Sequence, residues 1–131
     1  MKQSDFGNLA LLYAKKIEEE KLEPTIEGWK SLAEELGFCK SKIDKGCPRN
    51  AFLGLCSQGL IKGIPKGNYT TSEKNLNYAK EAVRILREDN SLCDNPNVLW
   101  TKIPGAPKTH NGQMNVVCAL WNEELIDNIR S

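Results

Sequence analysis

Apolar residues recur along this chain at helical spacing almost throughout. Phe6, Leu9, Ala10, Tyr13 and Ile17 form one stripe with Leu12 beside it, and the polar run Glu18–Glu23 closes it. Pro24 suits a first-turn position, after which Ile26, Trp29, Ala33 and Leu36 repeat until Gly37. A third helix is predicted from about Pro48, with Ala51, Phe52, Leu55 and Cys56 inward and Gly59 at its end. Gly54 lies inside it, where glycine is about 1 kcal/mol worse than alanine. It is tolerable there if another helix backbone packs closely against it. Thr70-x-x-Glu73 reads as a capping box opening a fourth helix, with Leu76, Ala79, Val83 and Leu86 on one face. Asn95-Pro96 opens a short fifth helix carrying Val98, Leu99 and Trp100. After the Pro/Gly-rich loop Ile103–Gly112, a last helix holds Met114, Val117, Cys118, Trp121 and Leu125. The run Val116–Trp121 could be a buried strand, but no other segment offers it a partner. The expectation is an all-α fold of about six helices in a single domain, residues 1–131.

The two halves resemble each other at an offset of 65. Leu11, Tyr13, Ala14 and Lys15 fall on Leu76, Tyr78, Ala79 and Lys80, and Asn50, Leu55, Leu60 and Ile61 fall on Asn115, Leu120, Leu125 and Ile126. Trp29 and Trp100 occupy corresponding helices, at an offset of 71. Such self-similarity suggests two pseudo-repeated three-helix units, 1–65 and 66–131, sharing one core. Only ten of the 66 aligned pairs are identical, so two amphipathic helices converging by chance would look similar.

At 131 residues the chain can bury a core without metal or disulfide support. Its leading residues hold no apolar run of signal-peptide length, and no segment approaches a membrane span. Cys39, Cys47, Cys56, Cys93 and Cys118 lack the spacing of a zinc or redox pair, which points to reduced thiols and a cytoplasmic protein. The one histidine and the solvated carboxylate runs give no metal-ligand pattern either, so neither metal nor cofactor is expected. The net charge of +1 conceals an uneven distribution: −3 over residues 1–36, +5 over 37–75 and −1 over the remainder. A basic middle is either an anion-facing surface or the complement of the acidic helix nearby.

Three segments could carry chemistry. Ser31–Lys45 resembles a helix-turn-helix, with Ala33 where the helices must approach, Gly37 where the turn needs positive φ and Ile43 as the plug of the second helix. Lys40, Ser41, Lys42 and Lys45 would then open a recognition helix. Gly46-Cys47-Pro48 ends that helix after roughly two turns, and the second half has no counterpart. Gly59–Asn75 combines glycines 59, 63 and 67 with lysines 62 and 66 before a helix start, the elements of an anion site. Together with its neighbours it nominates Lys45, Arg49, Lys62, Lys66, Asn68 and Ser72 as anion- or partner-binding residues. The same residues also read as a helix stop, a turn around Pro65–Asn68 and a capped restart. No Walker motif is present, so nucleotide hydrolysis has no support. Cys47 stands at a helix start, where a thiolate is favoured, and His110 with Asn111 lies in the matching loop of the second half. Those are the parts of a cysteine-nucleophile site, though no local signature of a cysteine hydrolase accompanies them.

The stretches Cys47–Thr70 and His110–Ile126 resemble a family of small bacterial proteins of unknown function. That resemblance covers about a third of the chain and implies a bacterial, cytosolic, stand-alone domain; it brings no activity. The reading that follows is a non-catalytic binding module using the basic central segment and the Ile103–Gly112 loop, with protein or nucleic acid as partner and no membrane contact. DNA binding through 31–45 comes second and a thiol enzyme using Cys47 and His110 third. Convergence of Cys47, Lys66 and His110 on one pocket would favour a site; their scatter would favour an interaction surface.

Overall fold

The computed structural model describes residues 5–108 and 110–126. The fold is all-α, and no strand occurs among these residues beyond one isolated antiparallel bridge, Ile61 to Ile126. Six helices carry it: α1 (Asp5–Glu20), α2 (Ile26–Glu35), α4 (Gly46–Ser57), α5 (Glu73–Glu88), α6 (Pro96–Thr101) and α7 (Gln113–Asn122). A single turn, α3 (Lys40–Ile43), and a 3₁₀ turn, Asn90–Asp94, complete it. No described helix is long and apolar enough to cross a membrane.

Helix starts follow local chemistry, with two adjustments. Thr25 caps α2 by accepting the Gly28 N–H, so Pro24 precedes the cap instead of occupying the first turn. Asn95 caps α6 by accepting the Val98 N–H, with Pro96 at its first position as expected. The Thr70–Glu73 capping box does not form. Thr70 donates its hydroxyl to Asn50 Oδ1 and accepts the Ser72 N–H, so Ser72 becomes the cap of α5 and accepts from Asn75.

Helices α1, α4, α5 and α7 run in the same direction. At one end Gly112, just before α7, lies against Phe6 of α1 and Pro48 of α4. Asn75 in the first turn of α5 bonds Gln113 of α7, and Thr70 before α5 bonds Asn50 of α4. At the other end, Gly63 beyond α4 meets Glu18 near the end of α1, and the Lys62 N–H donates to Leu125 O beyond α7. Parallel neighbours need crossovers, and this chain supplies them as α2–α3, the segment 58–72, and the 3₁₀ turn with α6 and the following loop. The N-termini of α1, α4, α5 and α7 are thereby gathered at one end.

Trp29 anchors the first half of the core. Fully buried, its ring lies 5.3 Å from Phe52 and 6.3 Å from Tyr13, tying α2 to α4 and α1. Tyr13 Oη also donates to Thr25 O and accepts the Thr25 N–H, which fixes the entry to α2. In the second half Tyr78 meets Trp100 edge-on at 4.9 Å, much as Tyr13 meets Trp29. Backbone φ is positive at both Gly59 and Glu124, and Leu60 and Leu125 each donate back to the helix residue five before them. These likenesses of single junctions do not establish a duplication, because α3 has no counterpart and most aligned pairs differ.

The helix-turn-helix expectation is not supported. Gly37 does take φ +83°, and Ala33 is fully buried. The helix that follows, however, is one turn of four residues ended by Asp44, too short to lie along a major groove. Its cations are already engaged, since Lys42 pairs with Asp5 of α1 and Lys40 with Asp44. Ser41 is paired with the Cys39 sulfur.

Candidate functional site

The gathered helix starts are not equally capped. α5 has Ser72, whereas Lys45 before α4 and Gly112 before α7 provide no side-chain cap. Each helix N-terminus carries about half a positive charge from its aligned peptide dipoles and unsatisfied N–H groups, so this end of the molecule favours anions. Gly112 is needed where it stands: its φ is +98°, and a Cβ there would come within 3.0 Å of the Phe6 ring and 3.2 Å of Pro48.

A chain of polar side chains ties these starts together. Asn50 on α4 accepts from Thr70, whose oxygen also accepts the Ser72 N–H. Asn75 donates its amide to Ser72 and accepts from Gln113, and Gln113 accepts the Asn111 N–H. Asn75 and Gln113 are buried, so their mutual bond satisfies groups that would otherwise be costly to desolvate. Arg49, one residue before Asn50, is treated differently. Its Nε and Nη1 are buried and find no hydrogen-bond partner among the described residues. Arg49 lines a cavity of about 270 Å³ with Asn50, Asn68, Thr70 and Thr71. Ile26 and Tyr69 supply its apolar part.

Of the residues nominated from the sequence, Arg49 and Asn68 therefore share one cavity, and Ser72 lies beside it through Thr70. Lys45 faces a different side, with its ammonium over the Phe6 ring at 5.7 Å and its charge felt by His110. Lys62 and Lys66 lie at the opposite end of α4, the first bonded through its N–H to Leu125 and the second packed on Gly59. Cys47, Lys66 and His110 thus do not converge. Lys40, Ser41 and Lys42 sit on the α3 turn away from the cavity lining. Asn50, Thr70 and Thr71 were not nominated as site residues from the sequence, although Asn50 stood in the match at an offset of 65 and Thr70 in the expected capping box.

Pro48 against Gly112 does bring the Cys47 and His110 junctions next to each other. Yet both ring nitrogens of His110 are in use: Nδ1 accepts the Gly112 N–H, leaving Nε2 to donate to Asn97 Oδ1. Burial, and then the Lys45 charge, hold its pKa below the ordinary histidine value, so the ring is neutral at pH 7. No hydrogen bond joins it to Cys47, and Asn111 engages through its backbone N–H. No group of three His, Cys, Asp or Glu side chains among the described residues is placed to hold a metal ion.

The thiols differ sharply in environment. Cys39 is exposed, and the Ser41 hydroxyl, the Lys42 backbone N–H and the Lys42 charge pull its pKa down. Burial pushes the Cys56 thiol far up and that of Cys118 up to about 12. Iodoacetamide near neutral pH should therefore modify Cys39 first and spare Cys56 and Cys118 until the protein unfolds. Peptide mapping that found either buried thiol alkylated before Cys39 would contradict this packing.

A family model described as a family of unknown function (DUF6979) matches residues 3–127, and the chain belongs to that family. No curated protein and no solved structure matches it.

Proposed function

We propose that this member of a family of unknown function is a non-catalytic binding protein whose site is the Arg49 cavity, and that its ligand presents an anionic group. The observation that carries the reading is the guanidinium of Arg49, which lines the cavity and whose Nε and Nη1 find no hydrogen-bond partner among the described residues. Arg49 is half-buried as a residue and lines the cavity, so an anion entering there would bring its guanidinium a partner of opposite charge. The uncapped start of α4 adds a favourable field at the same place. Asn68 and Thr71 make no side-chain hydrogen bond within the described residues and are exposed, so they are available to a ligand. Five unpaired cysteines support a reducing compartment as the place of action.

The neighbouring lysines favour a local pocket over a broad nucleic-acid surface. Lys40 and Lys42 are matched to Asp44 and Asp5, and Lys62 and Lys66 lie at the far end of α4, so the cations of the basic stretch do not form one continuous face. A thermal-shift titration with acetate and inorganic phosphate tests the reading. At ten times its Kd an anion held by Arg49 should stabilise the protein by about 1.4 kcal/mol. That corresponds to a rise of roughly 5 °C in Tm for a chain of this size. Arg49→Gln should remove the rise while Lys66→Ala, at the far end of α4, keeps it. Equal shifts in wild type and Arg49→Gln would defeat the proposal.

A further inference from the structure

Building on that anion-binding reading, we infer that the cavity takes a small monocarboxylate with a short apolar arm, in preference to a phosphate ester, a nucleotide or an amino acid. Size sets the first limit. The cavity of about 270 Å³ lies just under the roughly 300–1,000 Å³ span of sites for drug-sized ligands.

Charge sets the second. Among the described residues lining the cavity Arg49 is the one cation, and none is acidic. One guanidinium balances one negative charge, so a phosphate dianion would bring a second charge without a partner. An ammonium group would likewise find no carboxylate, which discriminates against amino acids carrying the same side chain. The carboxylate suits the donors present. Asn50 spends its oxygen on Thr70 and so turns its amide N–H₂ to other use, and the Thr71 hydroxyl and Asn68 amide stand at the same wall.

The apolar part sets the third. Ile26 is 41% exposed, among the few large aliphatic residues left open to solvent, and it lines this cavity with Tyr69. Tyr69 is held in place by donating its hydroxyl to Pro65 O while its N–H donates to the Ser57 hydroxyl. A ligand whose carboxylate meets Arg49 can lay its hydrocarbon arm on these two side chains, and burial of each methylene contributes about 0.8 kcal/mol. A purely polar anion gains nothing from them.

Isothermal titration of the full chain with isovalerate, isovaleramide, leucine, inorganic phosphate and adenosine monophosphate decides the matter. Isovalerate is expected to bind saturably, with the other four at least tenfold weaker. Arg49→Gln should weaken isovalerate at least tenfold. Ile26→Glu, a change at an exposed position that places a carboxylate beside the site, should do the same while leaving the thermal midpoint near that of wild type. Phosphate or the nucleotide binding as tightly as isovalerate in an Arg49-dependent way would overturn the ligand class while leaving the anion site standing, as would leucine matching isovalerate. Isovalerate binding unchanged in both variants, or no binding by any of the five probes, would overturn the class and the site together.

Discussion

Gly54→Val should destabilise the protein by about 3 kcal/mol or more, the sum of an overpacked helix contact and a β-branched residue within a helix. Gly54 faces α5 so closely that an added Cβ would lie 2.7 Å from Leu76 Cα and 3.0 Å from Leu76 Cβ. The nearest atom is backbone, so no side-chain rotation relieves the clash; the helices must separate along the most extensive helix–helix contact in the fold. Gly54→Ala is the sharper test because two effects oppose each other. Alanine returns about 1 kcal/mol of helix propensity. Overpacking typically removes about 1–3 kcal/mol, and here the backbone leaves little slack, so a net loss of about 1–2 kcal/mol is expected. Urea denaturation reads both variants as a lower midpoint at unchanged slope. A Gly54→Ala protein as stable as wild type would mean that α4 and α5 do not approach as described.

That close approach also explains what the sequence made visible. Apolar stripes marked all six helices because a half-buried helix must repeat its apolar residues every three to four positions, whatever it packs against. A glycine within such a stripe already called for a neighbouring backbone, and Leu76 supplies it. Helix direction was not visible, since an amphipathic pattern reads the same for a parallel or an antiparallel neighbour. The shared direction of α1, α4, α5 and α7 shows only in contacts between residues far apart in sequence, such as Gly112 with Phe6 and Asn75 with Gln113.

The site follows the same division. Arg49 and Asn68 stood out by charge and by turn composition, and they do share a cavity. Lys62 and Lys66 stood out equally, from a loop rich in glycine and lysine. The segment after α4 first forms its turn at the far end, where Lys62 bonds Leu125 and Gly67 bonds Ser57, and only then returns along α4 to Thr70. Composition located the loop but not which part of it reaches the helix starts. Asn50, Asn75 and Gln113 were not marked as site residues for another reason. A polar residue in the first turns of an amphipathic helix reads as solvent-facing unless its partner is known, and their partners lie 20 to 38 residues away. The helix-turn-helix resemblance misled in the opposite sense: Ala33 and Gly37 met its steric needs, while Asp44 and Lys45 ended the second helix after one turn.

Trp29→Ala is expected to cost about 3–5 kcal/mol, the usual range for removing a buried large aromatic side chain. For a domain whose total stability is about 5–15 kcal/mol, that removes a large share of the folded population's margin. The reason is position: Trp29 is fully buried and joins α1, α2 and α4 through Tyr13 and Phe52. Trp29→Phe separates shape from polarity. The indole Nε1 is buried with no partner among the described residues, and an unsatisfied buried donor costs about 1–3 kcal/mol. Phenylalanine removes that donor and leaves a smaller void, so the two changes offset and a loss below about 1.5 kcal/mol is expected. Thermal and urea unfolding of both variants supply the comparison. A Trp29→Phe loss well above about 1.5 kcal/mol would mean that the indole N–H is bonded in solution, through a bound water. The cavity gives a second readout, because Ile26 is carried by α2 and α2 is held over α4 by this ring. Trp29→Phe should therefore retain anion binding at Arg49, whereas Trp29→Ala should weaken it even at temperatures where the variant is still folded.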